Sequence, residues 1–407
     1  MRILFLSDNF PPETNAPATR TFEHTRRWVR AGAKVTVVTT QPNFPAGKLF
    51  PGYRNRLFQR EWLDGVEVIR VWSYITANEG VTRRTLDYLS FMVTGFLASL
   101  FLPRPNVILS TSPQFFTACA AYVLSLFKRR PFVFELRDLW PDSILAVGAM
   151  KESAAIRAMK RLEYFLYCKA ARIVSVTNSF RQVLSGNGVP ADKIAVVRNG
   201  TDLAGFTAGP KPEHLLVKHG LHGKFVAAYI GTLGMAHGLG TVLDAAERMK
   251  SNPDIAFLLV GDGADRAALE QEARNRGLDN VIFAGSVGKN EVVKYWRLAD
   301  VALVLLRDRP VFRHVLPSKM FEAMATERPI VLGVLGESAE LLQAAGAGVV
   351  IHPESEEALA QAVETLAVDP EGANEMGRKG RRLVETEFDR DKLAAQMLEE
   401  LRSVAAG

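Results

Sequence analysis

Short apolar runs alternate with helical patterns along the chain, and this alternation limits the possible folds more than any other feature. The first runs, Ile3–Ser7 and Lys34–Thr39, are rich in Val, Ile and Leu, and a helical pattern near Thr19–Ala31 separates them. Strands of a parallel sheet are continuously apolar because helices cover both faces of the sheet. The sequence therefore predicts an α/β fold built from strand–helix–strand units.

The alternation stops once, at the turn-rich stretch Arg198–Asp202, and then begins again. The other predicted strands are Val66–Trp72, Val107–Ser110, Phe132–Glu135 and Ile173–Val176 before this stretch, and Lys224–Gly231, Ile255–Gly261, Val281–Ala284, Val301–Leu306, Ile330–Leu332 and Gly348–Ile351 after it. Because 407 residues exceed an ordinary single core, the two sets predict two Rossmann-like domains, residues 1–204 and 205–387. A helix at about 388–407, which carries a Leu and Met stripe, is predicted to pack back on the first domain.

Composition and the two cysteines narrow the protein class and the compartment. The chain is 48% apolar and 23% charged, which is typical of a soluble globular protein. Cys119 and Cys168 lack a Cys-x-x-Cys spacing, so we expect neither a disulfide framework nor a zinc site, and a reducing cytoplasm is the natural compartment. The first apolar run ends at Asp8 and is too short for a signal peptide.

The two halves of the chain differ in charge. Residues 1–205 contain 27 Lys and Arg against 15 Asp and Glu, whereas residues 206–407 contain 23 against 29. A basic half beside an acidic half indicates that only the first half faces an anionic partner. Because no nucleic-acid-binding module is recognisable, we expect an anionic membrane surface, contacted through the N-terminal domain, and no nucleic acid.

Two uncharged segments, Tyr88–Leu102 and Phe115–Phe127, allow two interpretations. Each is shorter than the roughly 20 apolar residues that cross a bilayer. As core helices they would lie between strands of the sheet. As surface helices they would dip apolar side chains into lipid while flanking cations such as Arg83 and Lys128 meet phosphate headgroups. The second interpretation predicts a peripheral protein on the inner face of the cell membrane, and Tyr88–Leu102 is the stronger candidate.

The stretch Leu316–Ala325 carries the most chemical information. It follows a predicted strand, and Pro317 suits the first turn of a helix. Unpaired N–H groups at such a helix start bind a diphosphate, to which Ser318 adds a hydroxyl group and Lys319 a cation. Glu322 lies one turn later on the face of Lys319, where its carboxylate can accept two hydrogen bonds from a ribose. The alternative is a capped surface helix with an ion pair.

This stretch resembles the Pro-Ser-Lys-x-x-Glu signature of GT-B-fold retaining glycosyltransferases of family 4. It is closest to members that build O-antigen and capsular polysaccharides, including N-acetyl-fucosamine transferases. Further segments that resemble family motifs follow in the same order, namely Phe10–Glu13, Arg137–Pro141, Val197–Asp202, Gly231–Gly234 and Val260–Gly263. Each motif alone is weak because a fold by itself predicts no function, whereas the ordered set is specific.

The resemblance implies a GT-B fold, in which two Rossmann-like domains face each other across a deep cleft. It also implies transfer with retention from a nucleotide sugar, with UDP as the default, to a lipid-linked glycan or polysaccharide acceptor in cell-surface polysaccharide (O-antigen or lipopolysaccharide) biosynthesis. No metal and no cofactor are expected, because Lys319 and helix N–H groups can stabilise the leaving diphosphate. The residues expected to bind the donor are Gly231, Thr232, His237, Gly261, His314, Ser318, Lys319 and Glu322. The expected catalytic residues are Asp138, Lys319 and Glu322, and the expected acceptor or cleft residues are Asn15, Arg137 and Asn199.

Three positions depart from the family pattern. His314 stands where many members have a glutamate that contacts the donor sugar. His237 stands where many have a lysine on the phosphate, and a histidine there would be either a pH-sensitive cation or a solvated loop residue. Asn15 lies in a stiff Asn-Ala-Pro loop that replaces Gly-Gly. The identity of the transferred sugar is therefore left open.

Several alternatives stay open at this point. Asp138 follows a predicted buried strand, where it either orients a substrate or caps the next helix. Asp389 and Asp391 are interpreted as a helix start, because two such residues lack the ligands that a hard cation needs. Two other functions remain: a GT-B-fold sugar-nucleotide epimerase, which needs no acceptor, and a non-catalytic scaffold that binds nucleotide sugars, which the missing glutamate at His314 favours.

Overall fold

The computed structural model describes residues 1–44, 46–76, 81–112, 115–142, 145 and 152–407. These residues form two compact units. Unit 1 comprises Met1–Arg198 together with Arg390–Gly407, and unit 2 comprises Asn199–Asp389. Each unit is built around one sheet whose strands run largely parallel and alternate with helices. The prediction of an α/β fold with two parallel-sheet domains is therefore confirmed.

The described strands of unit 1 form a single sheet. They are β1 (Arg2–Leu6), β2 (Lys34–Thr40), β3 (Phe58–Leu63), β4 (Val66–Val71), β5 (Val107–Thr111), β6 (Phe132–Leu136), β7 (Arg172–Ser175) and β8 (Ile194–Val196). Their order is β3-β4-β2-β1-β5-β6-β7-β8, and β3 pairs with β4 in the antiparallel sense at one edge. The chain order reverses between β1 and β5, and in open α/β sheets such a reversal is where ligands commonly bind, at the carboxyl edge of the sheet.

The helices of unit 1 cover this sheet. Those described are Ala16–Arg30, Val81–Leu100, Phe115–Lys128, Ala154–Lys169, Asn178–Gly186, the 3₁₀ turn Ala191–Lys193, and the last helix, Arg390–Ala406. The last helix begins next to Asp389 and Asp391, as predicted. It packs Leu393 and Met397 into the apolar core that contains Trp28, and Trp28 Nε1 donates a hydrogen bond to the Ala394 carbonyl at 2.8 Å.

The helices Val81–Leu100 and Phe115–Lys128 each have one buried and one exposed apolar face. Phe91 and Leu124 are fully buried, whereas Phe101 and Phe127 are 88% and 67% exposed. One face of each helix is therefore core, as the first interpretation predicted, and the other lies on the surface; contact of that face with lipid stays a prediction. Within the described ranges, no helix has the length and apolar character needed to cross a membrane.

The described strands of unit 2 also form one sheet, and all of its neighbours pair in parallel. They are β9 (Phe225–Ile230), β10 (Ile255–Val260), β11 (Val281–Gly285), β12 (Val301–Leu305), β13 (Ile330–Gly333) and β14 (Gly348–Val350). Their order, β11-β10-β9-β12-β13-β14, is that of a dinucleotide-binding fold. The chain order reverses between β9 and β12.

Helices bury both faces of this second sheet. They are Glu213–His219, Gly240–Arg248, Arg266–Arg276, Lys289–Leu298, Ser318–Ala325, Glu337–Ala345, Glu356–Val368 and Pro370–Glu387, with 3₁₀ turns at Met235–His237 and Pro310–His314. Successive side chains of β9 enter opposite cores: Val226 and Ala228 pack on one face, Ala227 and Tyr229 on the other. This two-sided burial is the physical reason for the continuous apolar runs.

Two glycines let the loops after β9 and β10 approach each other. Gly231 and Gly261 have φ angles of +148° and +138°, which side chains rarely allow. A Cβ atom at Gly261 would overlap the carbonyl oxygen of Gly231, and one at Gly231 would lie 2.9 Å from Lys319 Nζ. Both positions therefore require glycine for the loops and Lys319 to pack as they do.

We predict that Gly261→Ala lowers the free energy of unfolding by about 2–4 kcal/mol, because the new Cβ atom meets backbone that cannot move aside. The control is Gly240→Ala, since nothing lies within 4 Å of a Cβ atom there and the residue starts a helix. That variant should change stability by less than about 1 kcal/mol. Urea unfolding of both variants measures the difference, and equal midpoints would contradict the proposed loop contact.

Candidate functional site

The carboxyl edge of the unit 2 sheet gathers several of the predicted donor residues. In open α/β sheets, ligands bind where the chain order reverses, which here is between β9 and β12. The loop after β9 contains Gly231, Thr232 and His237, and the segment after β12 leads to the helix Ser318–Ala325. Pro317 precedes this helix, and no side chain caps its start, so the helix start is suited to an anion.

The Lys319 ammonium group is the central feature of this edge. Its Nζ atom is buried and has no hydrogen-bond acceptor among the residues that the structure describes. It lies 3.7 Å from the centre of the Tyr229 ring, a cation–π contact. The Tyr229 hydroxyl donates to the Thr232 carbonyl at 2.7 Å and so fixes the ring against the loop after β9. A buried cation with so few partners is unfavourable unless an anion joins it.

Burial changes the protonation of Lys319. It lowers the pKa of Lys319 from 10.5 to about 7, and the Glu322 carboxylate only partly opposes this. Glu322 accepts a hydrogen bond from Trp296 Nε1 at 3.2 Å. Because the lysine titrates near neutrality in the unliganded protein, an anion bound beside it would draw a proton onto the amine.

His237 is a neutral group in this structure. Burial first, and then the positive charge of Lys319, lowers the pKa of His237 to about 3. Its Nδ1 atom lies 3.3 Å from the Leu305 carbonyl oxygen. Because a carbonyl only accepts, this contact requires the proton on Nδ1 and leaves Nε2 as an acceptor. The sequence-based view of His237 as a pH-sensitive cation is therefore wrong for the unliganded protein.

The other predicted donor residues lie at more varied positions. Gly261 packs against the backbone of Gly231, and Ser318 is the exposed first residue of its helix. His314 ends the 3₁₀ turn Pro310–His314 and is half-buried. Asn199 lies in the turn that opens unit 2, two residues before Thr201, whose N–H donates to the Phe388 carbonyl. The structure thus brings Gly231, Thr232, His237 and Lys319 into one group.

The predicted acceptor residues lie in unit 1, except for Asn199. Asn15 caps the helix Ala16–Arg30: its side chain accepts from the Ala18 N–H at 2.9 Å and donates to Asn9 at 2.9 Å. Its polar atoms therefore have a structural role that the sequence analysis did not predict. The N–H groups of Arg137 and Asp138, which follow β6, both donate to Ser112 Oγ, at 2.7 and 3.1 Å.

A second buried cation occurs at this edge of the unit 1 sheet. Two nitrogens of Arg137, Nε and Nη1, are buried without a hydrogen-bond acceptor in the described part of the chain. Burial lowers the pKa of Arg137 to about 10, so the group stays charged. The nearby Glu135 carboxylate is bound instead by Arg20, at 2.8 Å, in a buried ion pair. Burial raises the pKa of Glu135, but the charges of Arg20 and Arg137 bring it below its usual range.

Tyr229 and Trp296 are site residues that the sequence analysis missed. Tyr229 lies in β9, two residues before the glycine of the loop, and Trp296 lies in the helix Lys289–Leu298. An aromatic residue just before a predicted phosphate-binding glycine is the signal that could have identified Tyr229. Trp296 is far in sequence from Glu322 and gave no such signal. No group of three His, Cys, Asp or Glu residues able to hold a metal ion occurs in the described ranges.

Comparison with protein-family models divides the chain in two. Residues 15–200 match the model described as a glycosyl transferase 4-like domain, and residues 213–383 match the one described as glycosyl transferases group 1. Among curated proteins, the chain is 24% identical to a putative colanic acid biosynthesis glycosyl transferase, WcaI, of Escherichia coli strain K12, over 99% of this chain and 100% of that protein. It is 31% identical to O-antigen chain mannosyltransferase C of Escherichia coli, over 40% and 43% of the two chains.

Solved structures of similar fold cover the whole chain. Sucrose-phosphate synthase from Thermosynechococcus elongatus has a TM-score of 0.80 at 18% identity and covers 100% of this chain and 99% of its own. HepE from Anabaena, in complex with UDP-glucose, has a TM-score of 0.74 at 18% identity and covers 99% and 100%. These structures support the two-domain GT-B fold. The matching families and relatives are transferases, which does not favour the epimerase alternative.

The low pKa of Lys319 leads to a prediction about unliganded stability. Between about pH 7 and 10.5 the unfolded chain holds a proton on Lys319 that the folded protein lacks, so this lysine makes stability rise with pH over that window. Lys319→Met should remove the rise. The substitution should stabilise the unliganded protein by about 2–4 kcal/mol at and below pH 7, and by less at higher pH.

Urea unfolding at pH 6.5 and 9.5 tests this expectation. The control is Lys218→Met, because Lys218 is exposed in the same unit. Its effect should be small and equal at both pH values. A Lys319→Met variant that is less stable than the parent at pH 6.5 would show that the ammonium has a stabilising partner and would refute the prediction.

Proposed function

Because this chain is a glycosyltransferase, with a glycosyl transferase 4-like domain and a group 1 domain, we propose that it transfers a sugar from a UDP-sugar to a lipid-linked acceptor in cell-surface polysaccharide biosynthesis, with retention. The observation that carries the proposal is the buried Lys319 ammonium beside an uncapped helix start. The full-length similarity to a colanic acid glycosyl transferase supports a polysaccharide product. The UDP complexes of HepE support UDP as the nucleotide.

The diphosphate of the donor supplies the partner that Lys319 lacks. Its oxygens can accept from Lys319 and from the N–H groups at the start of the helix Ser318–Ala325. Gly231 leaves room for this approach, since a side chain there would meet Lys319 Nζ. Glu322, one turn along the helix, is then in register for the ribose hydroxyl groups. His237, with an acceptor nitrogen, suits a sugar hydroxyl better than a phosphate.

Transfer breaks the bond between the anomeric carbon and the diphosphate oxygen, so negative charge grows on that oxygen. A protonated Lys319 stabilises this charge more in the transition state than in the bound donor. In the retaining scheme, the acceptor hydroxyl attacks from the leaving-group face and its proton passes to the departing diphosphate. We assign Asp138 to orienting the acceptor or the sugar. Neither a metal nor an organic cofactor has a role in this proposal.

Arg137 is suited to the diphosphate of a lipid-linked acceptor. Two of its buried nitrogens have no acceptor among the described residues and can donate to an anion, and Glu135 is already bound by Arg20. An acceptor with a diphosphate link would supply oxygens of the required charge. This assignment also agrees with the positive charge of residues 1–205.

We assign membrane contact to an apolar patch on unit 1. The patch comprises the exposed side chains of two packed helices and their ends, Leu86, Val93, Leu97, Phe101, Val123, Leu126 and Phe127. Arg104 and Arg129 are exposed beside it, and Arg104 donates to the carbonyls of Lys128 and Arg129 at 2.8 and 3.2 Å. Apolar side chains bordered by cations favour the surface of an anionic bilayer, here the inner face of the cell membrane.

We predict that UDP binds with proton uptake through Lys319. Binding raises the lysine pKa from about 7, so affinity should fall as the pH rises from 7 to 9, by at most about tenfold per pH unit. In titration calorimetry at pH 8, the observed enthalpy should depend on the ionisation enthalpy of the buffer. Lys319→Met should bind UDP about 10- to 100-fold more weakly and lose the buffer dependence, whereas Lys218→Met should match the parent. Unchanged UDP affinity in Lys319→Met would refute the site.

We predict that the protein sediments with vesicles containing anionic phosphatidylglycerol and is released as salt is raised, because screening weakens the cationic contribution. Phe101→Ser with Phe127→Ser should reduce the bound fraction several-fold at low salt. Val368→Ser is the matched control, since Val368 is 82% exposed but lies in unit 2. Equal sedimentation of the double variant and the control would rule out the patch as the membrane contact.

A further inference from the structure

Three carboxylates without a role in the proposed transfer lie at the carboxyl edge of the unit 1 sheet. Asp8 and Glu13 are in the loop after β1, and both are buried. Asp87 is half-buried in the helix Val81–Leu100. Buried carboxylates are unfavourable without partners, so their position at the edge where ligands bind calls for an explanation.

Hydrogen bonds hold the Asp8 backbone and the Glu13 carboxylate against the end of β2. The Asp8 carbonyl oxygen accepts from the Thr40 hydroxyl at 2.8 Å. Glu13 Oε1 accepts from the N–H groups of Asn43 and Phe44 at 2.8 and 2.9 Å. The loops after β1 and β2 are therefore joined, and the Glu13 carboxylate is fixed in position.

Other hydrogen bonds fix the helix that carries Asp87 against the segment after β4. The Tyr74 N–H donates to Ser90 Oγ at 2.7 Å, and Thr94 Oγ1 donates to the Trp72 carbonyl at 2.7 Å. Asp87 lies one turn before Ser90 and on the same helix face. It therefore faces the ends of the neighbouring strands β4, β2 and β1.

Several polar atoms in this region have no hydrogen-bond partner among the described residues. They are Glu13 Oε2, Asp87 Oδ1 and both side-chain amide atoms of Gln41. Gln41 is fully buried and follows β2, between Thr40 and Asn43, which hold Asp8 and Glu13. Each buried polar group without a partner destabilises the fold by about 1–3 kcal/mol. A ligand rich in hydrogen-bonding groups would satisfy them together.

The charges in this region indicate which ligand it accepts. Burial, then the Asp87 and Glu13 charges, raises the pKa of Asp8 well above its usual range. Burial also raises the pKa of Asp87 to about 7, with Glu13 adding to the increase, while Ser73 and Arg84 lower it. Arg70 lowers the pKa of Glu13 less than burial raises it. Because these raised pKa values leave the carboxyl groups partly protonated near neutral pH, the group both donates and accepts hydrogen bonds, which suits a neutral ligand.

We propose that Asp8, Glu13, Gln41 and Asp87, here called the carboxylate cluster, bind the hydroxyl groups of the acceptor sugar. This rests on the proposed glycosyl transfer and names the part of the acceptor that is recognised. Sugar hydroxyls need an acceptor and a donor side by side, and an amide among carboxyl groups provides that combination. The helix that carries Asp87 also bears Val93 and Leu97 of the apolar patch. One helix would therefore contact both the lipid and the sugar of a lipid-linked acceptor.

Saturation-transfer NMR with neutral hexoses tests the cluster. The probes are glucose, galactose and N-acetylglucosamine at millimolar concentration, with glucosamine as the cationic comparison. The variants are Asp87→Leu and Gln41→Leu, and the control is Asp192→Leu, because Asp192 is exposed on the same unit. We expect at least one neutral hexose to bind, with its signal reduced at least fivefold in both variants and unchanged in the control.

A thermal melt of the same variants separates binding from a structural role. Both variants remove an unsatisfied or repelling group, so each should keep or raise Tm while it loses the sugar. A lower Tm in both variants, a hexose signal that persists in both, no hexose binding at all, or a preference for glucosamine would each overturn the proposal. UDP affinity, measured in parallel, should stay at the parental value in both variants. If the parent protein does not bind UDP, the proposed transfer is refuted. That result differs from one in which UDP binds but the hexose does not, which refutes only the carboxylate cluster.

Discussion

The buried ammonium group of Lys319 is the constraint around which the edge of the unit 2 sheet is organised. It lies over the Tyr229 ring and beside Gly231, where any side chain would contact it. Together with burial, its positive charge lowers the pKa of His237. Among the described residues, the close partners of the ammonium group are a ring and a half-buried carboxylate, and a buried cation with so little compensation opposes folding of the unliganded protein. In the proposed function, a diphosphate donor would turn the same unfavourable burial into tight, charge-assisted binding.

The two sheets share one topological feature, but the side chains beside it differ in their chemistry. In each, the chain order reverses between two central strands, and polar side chains collect in the loops beyond. The edge of unit 2 presents a cation and an uncapped helix start, which suits a diphosphate. The edge of unit 1 presents Arg137 together with carboxyl groups, which suits a ligand that has both an anionic and a hydroxyl-rich part. A lipid-linked sugar has both parts.

The helix Val81–Leu100 connects the acceptor proposals. Its buried face carries Phe91 into the core, its exposed face carries Val93 and Leu97, and its polar side turns Asp87 toward the strand ends. A helix that were only a core element would not need exposed apolar residues. One that only bound membrane would not need a half-buried aspartate with a pKa near 7.

The sequence by itself determined the α/β class and nearly every strand, because strands buried on both faces must be continuously apolar. Each predicted strand lies within one residue of its observed bounds, whereas β3, with alternating polar residues at an exposed edge, and β8, with three residues, gave too weak a pattern. The sequence also identified Lys319 and Glu322 as neighbours on one helix face, since that relation is local. Only the tertiary structure decided that the Lys319 amine is buried over Tyr229, that His237 is neutral, that Asn15 serves as a helix cap and that Asp8 and Asp87 share one edge. Those outcomes depend on burial and on side chains far apart in the chain, and neither can be read from spacing along it.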